Sequence, residues 1–119
     1  MAHDDPRAHL PLTPIVLHIL IALGDGERHG YAIAQEIEME FYGAIRVGPG
    51  TMYGSIQRML GAKLIEEAHP RKRDDADARR RYYRATALGN KVKQLELERL
   101  ETLLRYANVR RAAHRPGIA

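Results

Sequence analysis

The last quarter of the chain restricts the fold more than any other stretch. It reads ALGNKVKQLELERLETLLRYANVRRAAH, and Thr86 stands just ahead of it as a helix cap. One apolar stripe runs through Leu88, Val92, Leu95, Leu103 and Tyr106, interrupted by Arg99. A second runs through Leu97, Leu100, Leu104 and Ala107. Together they cover about half the circumference, wider than a helix lying on one surface needs. One stripe can pack on its own domain, and the other needs a further partner. A chain of 119 residues suits one domain with a small core, which pairing with a second copy would help. We therefore expect a homodimer with Leu97, Leu100, Leu103, Leu104 and Ala107 at its interface. The tail RRAAHRPGIA lacks a pattern and is expected to fray.

Three shorter helices precede it. LTPIVLHILIALGDG has Thr13 as cap, Pro14 at the first helical position and Gly24 as its stop. Its His18 reads as a structural residue. ERHGYAIAQEIEMEF places Ile33, Ile37 and Phe41 on one stripe. YGAIRVGPG breaks that pattern, and Gly48-Pro49 opens a third helix. There Met52, Ile56, Met59, Leu60 and the stem of Lys63 share one side, Gly54, Gln57, Arg58 and Thr51 share the other, and Tyr53 lies at the border. Leu64–Ala68 and Arg80–Ala85 read as two strands around a charged loop, whose tip over Pro70–Ala78 is expected to be mobile. Tyr83 is expected in the core beneath that hairpin. The fold class is mainly α with a small β-hairpin: a winged helix-turn-helix over residues 10–86 and a long C-terminal dimerisation helix over residues 87–112.

The third helix poses a problem. Its buried face is good, yet a helix-interior glycine costs about 1 kcal/mol relative to alanine. An outer face that must lie close to DNA accounts for small and polar residues there. Thr51, Ser55 and Gln57 offer hydrogen bonds, Tyr53 stands beside them, and Arg58 can reach a phosphate or a guanine edge. Gly54 would let the backbone approach; the plainer reading packs Gly54 under a neighbouring helix. Nine Lys/Arg lie between Arg71 and Lys93, against Asp74, Asp75 and Asp77. Of these, Arg71, Lys72, Arg73, Arg79 and Arg80 are expected on flanking phosphates. Tyr31 reads more readily as packing than as a contact.

Other functions fit less well. The six histidines are scattered, there is no cysteine, and no phosphate loop or nucleophile motif occurs, so no catalytic residue, metal or cofactor is expected. The absence of cysteine fits a reducing compartment. MAHDDPRAHL is acidic where a signal peptide is basic, and the apolar run Ile15–Leu23 is too short to cross a bilayer. These point to a cytoplasmic protein without a membrane partner. A protein-interaction module built on a winged helix is the alternative to a DNA-binding regulator.

Three stretches, HGYAIAQEI, GPGTMYGSIQRMLGAKLIE and RRRYYRATALG, resemble in order and spacing the PadR-type transcriptional regulators. Gly30, Tyr31, Gly50, Thr51, Tyr53, Ile65, Arg81, Tyr82, Tyr83, Thr86 and Gly89 occupy the places of the family pattern. The resemblance covers roughly Leu12 to Ala107. It implies a dimeric winged-helix repressor on an inverted-repeat operator, of the short subtype with one C-terminal helix. Where the family ends the third helix with glycine just before the strand, this chain has Gly61-Ala62-Lys63. The resemblance also admits a small-molecule effector of unknown chemistry between the C-terminal helices or where they meet the core, near Leu100, Leu104 and Tyr106. Some short members bind flat aromatic drugs through a tryptophan, which this chain lacks.

Overall fold

A computed structural model describes residues 5–40, 48–69 and 81–114. The order is α1 (Pro14–Ala22), β1 (Arg28–His29), α2 (Gly30–Glu40), α3 (Pro49–Gly61), β2 (Ile65–Ala68), β3 (Tyr82–Ala85) and α4 (Ala87–Ala113). Short 3-10 turns at Pro6–His9 and Leu23–Asp25 flank α1. The expected class holds, with one addition. Arg28 and His29, expected at the start of the second helix, instead pair with Tyr83 and Tyr82, so the hairpin becomes a three-stranded antiparallel sheet in the order β1-β3-β2. Across β2 and β3, Ile65 faces Ala85 and Glu67 faces Tyr83.

The apolar faces read from the sequence meet in one core. Ile19 and Leu20 of α1, Ile33 and Ile37 of α2, and Met52, Ile56 and Met59 of α3 are buried together with Ile65, Tyr83 and Val92. α1 is apolar nearly all round because α2, α3 and α4 all pack against it. Polar ties fix the seams. Arg28 donates from Nε to Ala22 O at 2.9 Å, and the same nitrogen lies 3.2 Å from a Glu36 carboxylate oxygen, joining the end of α1 to α2. His29 Nδ1 accepts from Ala32 N at 3.1 Å and so caps the first turn of α2.

Several local expectations change. Thr13 sits at the N-cap of α1 but makes no side-chain cap bond. α1 stops before Gly24, and the glycine that needs a positive φ is Gly26, at 131°. Lys63 does not continue the buried face of α3. It follows the helix with φ 62°, the left-handed position that a helix end usually gives to glycine. Lys63 N donates to Leu60 O at 3.1 Å and Leu64 N to Met59 O at 2.9 Å, the paired bonds of a Schellman closure. The turn where the family pattern has glycine is therefore made with a lysine, at a steric cost of about 1–2 kcal/mol. Phe41 and the loop tip Pro70–Ala78 lie outside the described residues.

α4 starts tightly. Thr86 Oγ1 accepts from Gly89 N at 3.0 Å, as a cap should, and donates to Lys63 O at 2.6 Å. A Cβ on Gly89 would lie 1.9 Å from Leu64 O, so only glycine lets the first turn of α4 sit against the entry to β2.

Candidate nucleic-acid interface

The outer face of α3 is largely what its residues suggest. Thr51, Tyr53, Gln57 and Arg58 are exposed, and Gly54 is half-buried. A Cβ on Gly54 would meet only Arg58 Nη1, at 3.4 Å, which is ordinary contact with a flexible side chain. No helix lies over Gly54 among the described residues, so the plainer packing reading loses its basis.

Ser55 is a correction. It was expected on the outer face, yet it is completely buried. Its position turns it toward the inner side beside Met52, Ile56 and Met59. Its hydroxyl accepts from Arg58 Nη2 at 3.2 Å, so Arg58 folds back across Gly54 toward Ser55. Ser55 cannot present its hydroxyl to a ligand outside; its role is to hold Arg58.

The sheet carries less unpaired positive charge than the sequence count suggests. Arg84 Nε lies 2.8 Å from a Glu66 carboxylate oxygen, and Nη1 lies 3.6 Å from Glu27. Arg81 Nε lies 3.9 Å from Glu67. Arg71, Lys72, Arg73, Arg79 and Arg80 fall outside the described residues.

A cleft of about 660 Å³ opens between α2, the start of α3 and β3. Met52, Ile56 and Ala34 contribute apolar wall, while Tyr31, Gln35, Tyr53 and Arg81 contribute polar groups. Gln35 Nε2 donates to the Tyr31 hydroxyl at 3.3 Å. Burial pushes the Tyr83 phenol above its ordinary range, against the lowering charge of Arg81. The sequence reading placed Tyr83 in the core but did not show that it also borders this cleft.

At the other end of the molecule, α4 leaves the domain at a buried carboxylate. Glu96 is 1% exposed. Leu12 N donates to its Oε2 at 2.7 Å, and Arg99 donates from Nε to Oε1 and from Nη2 to Oε2. The Arg99 hydrogen bonds hold the Glu96 carboxyl below the ordinary glutamate range; burial opposes this and the Leu12 N–H reinforces it. Beyond this point Leu97, Leu103, Leu104 and Tyr106 are exposed, as is Ala107, while Leu100 is half-buried. Glu96 was not singled out in the sequence; its spacing from Val92 and Arg99 was the available signal.

Three helices under a short antiparallel sheet, with a polar face on the third helix, define a winged helix-turn-helix protein. The profile of the transcriptional regulator PadR-like family matches residues 16–95. A transcriptional regulator of Mycobacterium tuberculosis is 36% identical over 90 residues, which span 75% of this chain and 78% of that protein. The chain belongs to the PadR-like family. Among solved structures, a PadR family transcription regulator of Clostridium difficile superposes with a TM-score of 0.68 at 23% identity, covering 81% of this chain and 96% of that one. RosR of H. salinarum superposes with a TM-score of 0.58 at 28% identity, covering 82% and 79%. No helix among the described residues is long and apolar enough to cross a membrane.

Proposed function

We propose that this PadR-like regulator is a dimeric repressor that binds an inverted-repeat operator. The carrying observation is the outer face of α3, where Thr51, Gln57 and Arg58 stand exposed around Gly54, over which only the flexible Arg58 side chain folds among the described residues. Such a face lets a helix backbone lie close in a major groove, with its early residues near base edges. Tyr53 borders that face. Arg71, Lys72, Arg73, Arg79 and Arg80 add phosphate contacts that set affinity more than sequence choice. The short form of the family, with residues 10–86 as the DNA-binding unit and residues 87–112 as the dimerisation helix, fits the exposed leucines of α4. An effector would sit between the paired α4 helices or where they meet the core, near Leu100, Leu104 and Tyr106. The site calls for no metal or cofactor, and a cytoplasmic location fits the role.

The test is a salt titration of binding to duplex DNA taken from the region upstream of its own gene. Affinity is expected to fall by orders of magnitude between about 50 and 200 mM salt, as counterions are released from several phosphates. A flat response would favour the protein-interaction module.

A further inference from the structure

Tyr83 is 6% exposed and no described residue hydrogen-bonds its hydroxyl, yet that oxygen is not sealed from solvent: it opens where the residue lines a cleft. A buried ring that keeps its O–H open to a cleft presents a donor there that phenylalanine would not supply. The ring is one wall of the cleft between α2, α3 and β3. The neighbours whose charge acts on the phenol are Arg81, Glu67 and Tyr53, of which Arg81 and Tyr53 line the same cleft. So three donors gather at one end of it: the Tyr83 hydroxyl, the Tyr53 hydroxyl and the Arg81 guanidinium. Glu67, 3.9 Å from Arg81 Nε, leaves the rest of the five-donor fork available. Burial keeps the Tyr83 phenol protonated, and so a donor, at any working pH. Glu38 also lines the cleft, about two turns further along α2 than Tyr31.

We propose that this end of the cleft seats a phosphodiester of the DNA backbone, held by the hydroxyls of Tyr53 and Tyr83 and by Arg81. The inference rests on the DNA-binding reading above and adds a defined phosphate site to it. Tyr53 joins the two: it borders the outer face of α3 and the cleft. In a duplex seated on that face, the strand bordering the groove passes this point. The site fixes where the recognition helix sits along the duplex and reads no base.

The test uses the full chain, Tyr83→Phe, and two duplexes of about 30 base pairs, long enough for two half-sites a helical turn apart: the upstream region and a scrambled version. The substitution removes one oxygen and breaks no hydrogen bond among the described residues, so the melting temperature should not change. Affinity for both duplexes should fall about a hundredfold, the effect of one hydrogen bond to a charged group lost from each of two subunits. The salt slope should stay the same, because the phenol is neutral, while Arg81→Gln should lower it by about two, one per subunit. A methylphosphonate scan adds a reading that a merely structural role would not move. One neutral linkage per half-site should weaken the wild type and cost Tyr83→Phe little more. If the wild type binds and Tyr83→Phe binds equally well, the phosphate site is wrong and the regulator reading stands. Loss confined to one base pair also overturns the site, because the hydroxyl then reads a base. A wild type that binds neither duplex overturns both.

Discussion

The outer face of α3 and the distal half of α4 are both exposed, and they are built oppositely. On α3 the exposed side chains of Thr51, Gln57 and Arg58 are polar, Gly54 has none, Tyr53 is the one large aromatic exposed among the described residues of the helix, and Arg58 has a partner in Ser55. On α4, Leu103 is 53% exposed, and Leu104 and Tyr106 are each 60% exposed. The first surface is at ease in water and suits a hydrated, charged partner. The second leaves apolar area in water that only an apolar partner can cover. One chain thus carries two kinds of unfinished surface, joined by the stretch from Gly89 to Glu96.

The comparison breaks most readily at α4. Leu103→Glu with Leu104→Glu should convert a dimer to a monomer, since burial of about 1.5–3 kcal/mol per leucine is lost from both copies, on the order of 6 kcal/mol or more. Light scattering checks it; an unchanged dimer would place the interface elsewhere. Next, Gly89→Ala tests the joint. With a carbonyl oxygen 1.9 Å from the new carbon, backbone must move, and we expect a loss of about 3 kcal/mol or more in thermal unfolding.

Gly54→Leu sharpens the other side. Because a Cβ there meets only Arg58, leucine should keep or raise stability by up to about 1 kcal/mol. It should nonetheless weaken operator binding about a hundredfold, or near 2.7 kcal/mol. A lower melting temperature with affinity retained would show that this face is not the DNA surface.

Glu96→Gln loosens the junction between the two regions. Glutamine can still accept from Leu12 N, and Arg99, partly exposed, can turn to water, so the loss should be about 1–2 kcal/mol near pH 7. The folded carboxyl is held below its unfolded range, so its contribution is present above the ordinary glutamate pKa and fades as pH falls through the folded value. Melting curves of wild type and variant should therefore converge in acid; a constant gap would discount the ion pair. The smallest effect is expected from Lys63→Gly, which should stabilise by up to about 1 kcal/mol by relieving the left-handed lysine, read by the same melts.

Much was determined by the sequence alone. Helical periodicity marked α1 to α4, the inner face of α3 and the width of the apolar surface on α4, because one residue type repeated every three or four positions signals burial without knowledge of the neighbour. The capping chemistry of Thr86 was equally local. Other features needed the tertiary structure. Arg28 and His29 became a strand because β3, more than fifty positions on, offered its free edge. Ser55 is a polar residue at a helix position near the boundary of two faces, and only packing decided which side it joined. Glu96 reads as one of several surface glutamates until Leu12, 84 residues away, donates to it. Tyr83 looked like core, and it is; that its hydroxyl borders a cleft depends on where α2 and α3 stand. Periodicity records how each segment divides between water and core, whereas pairing, burial of single polar groups and the shape of a cleft depend on segments far apart in the chain.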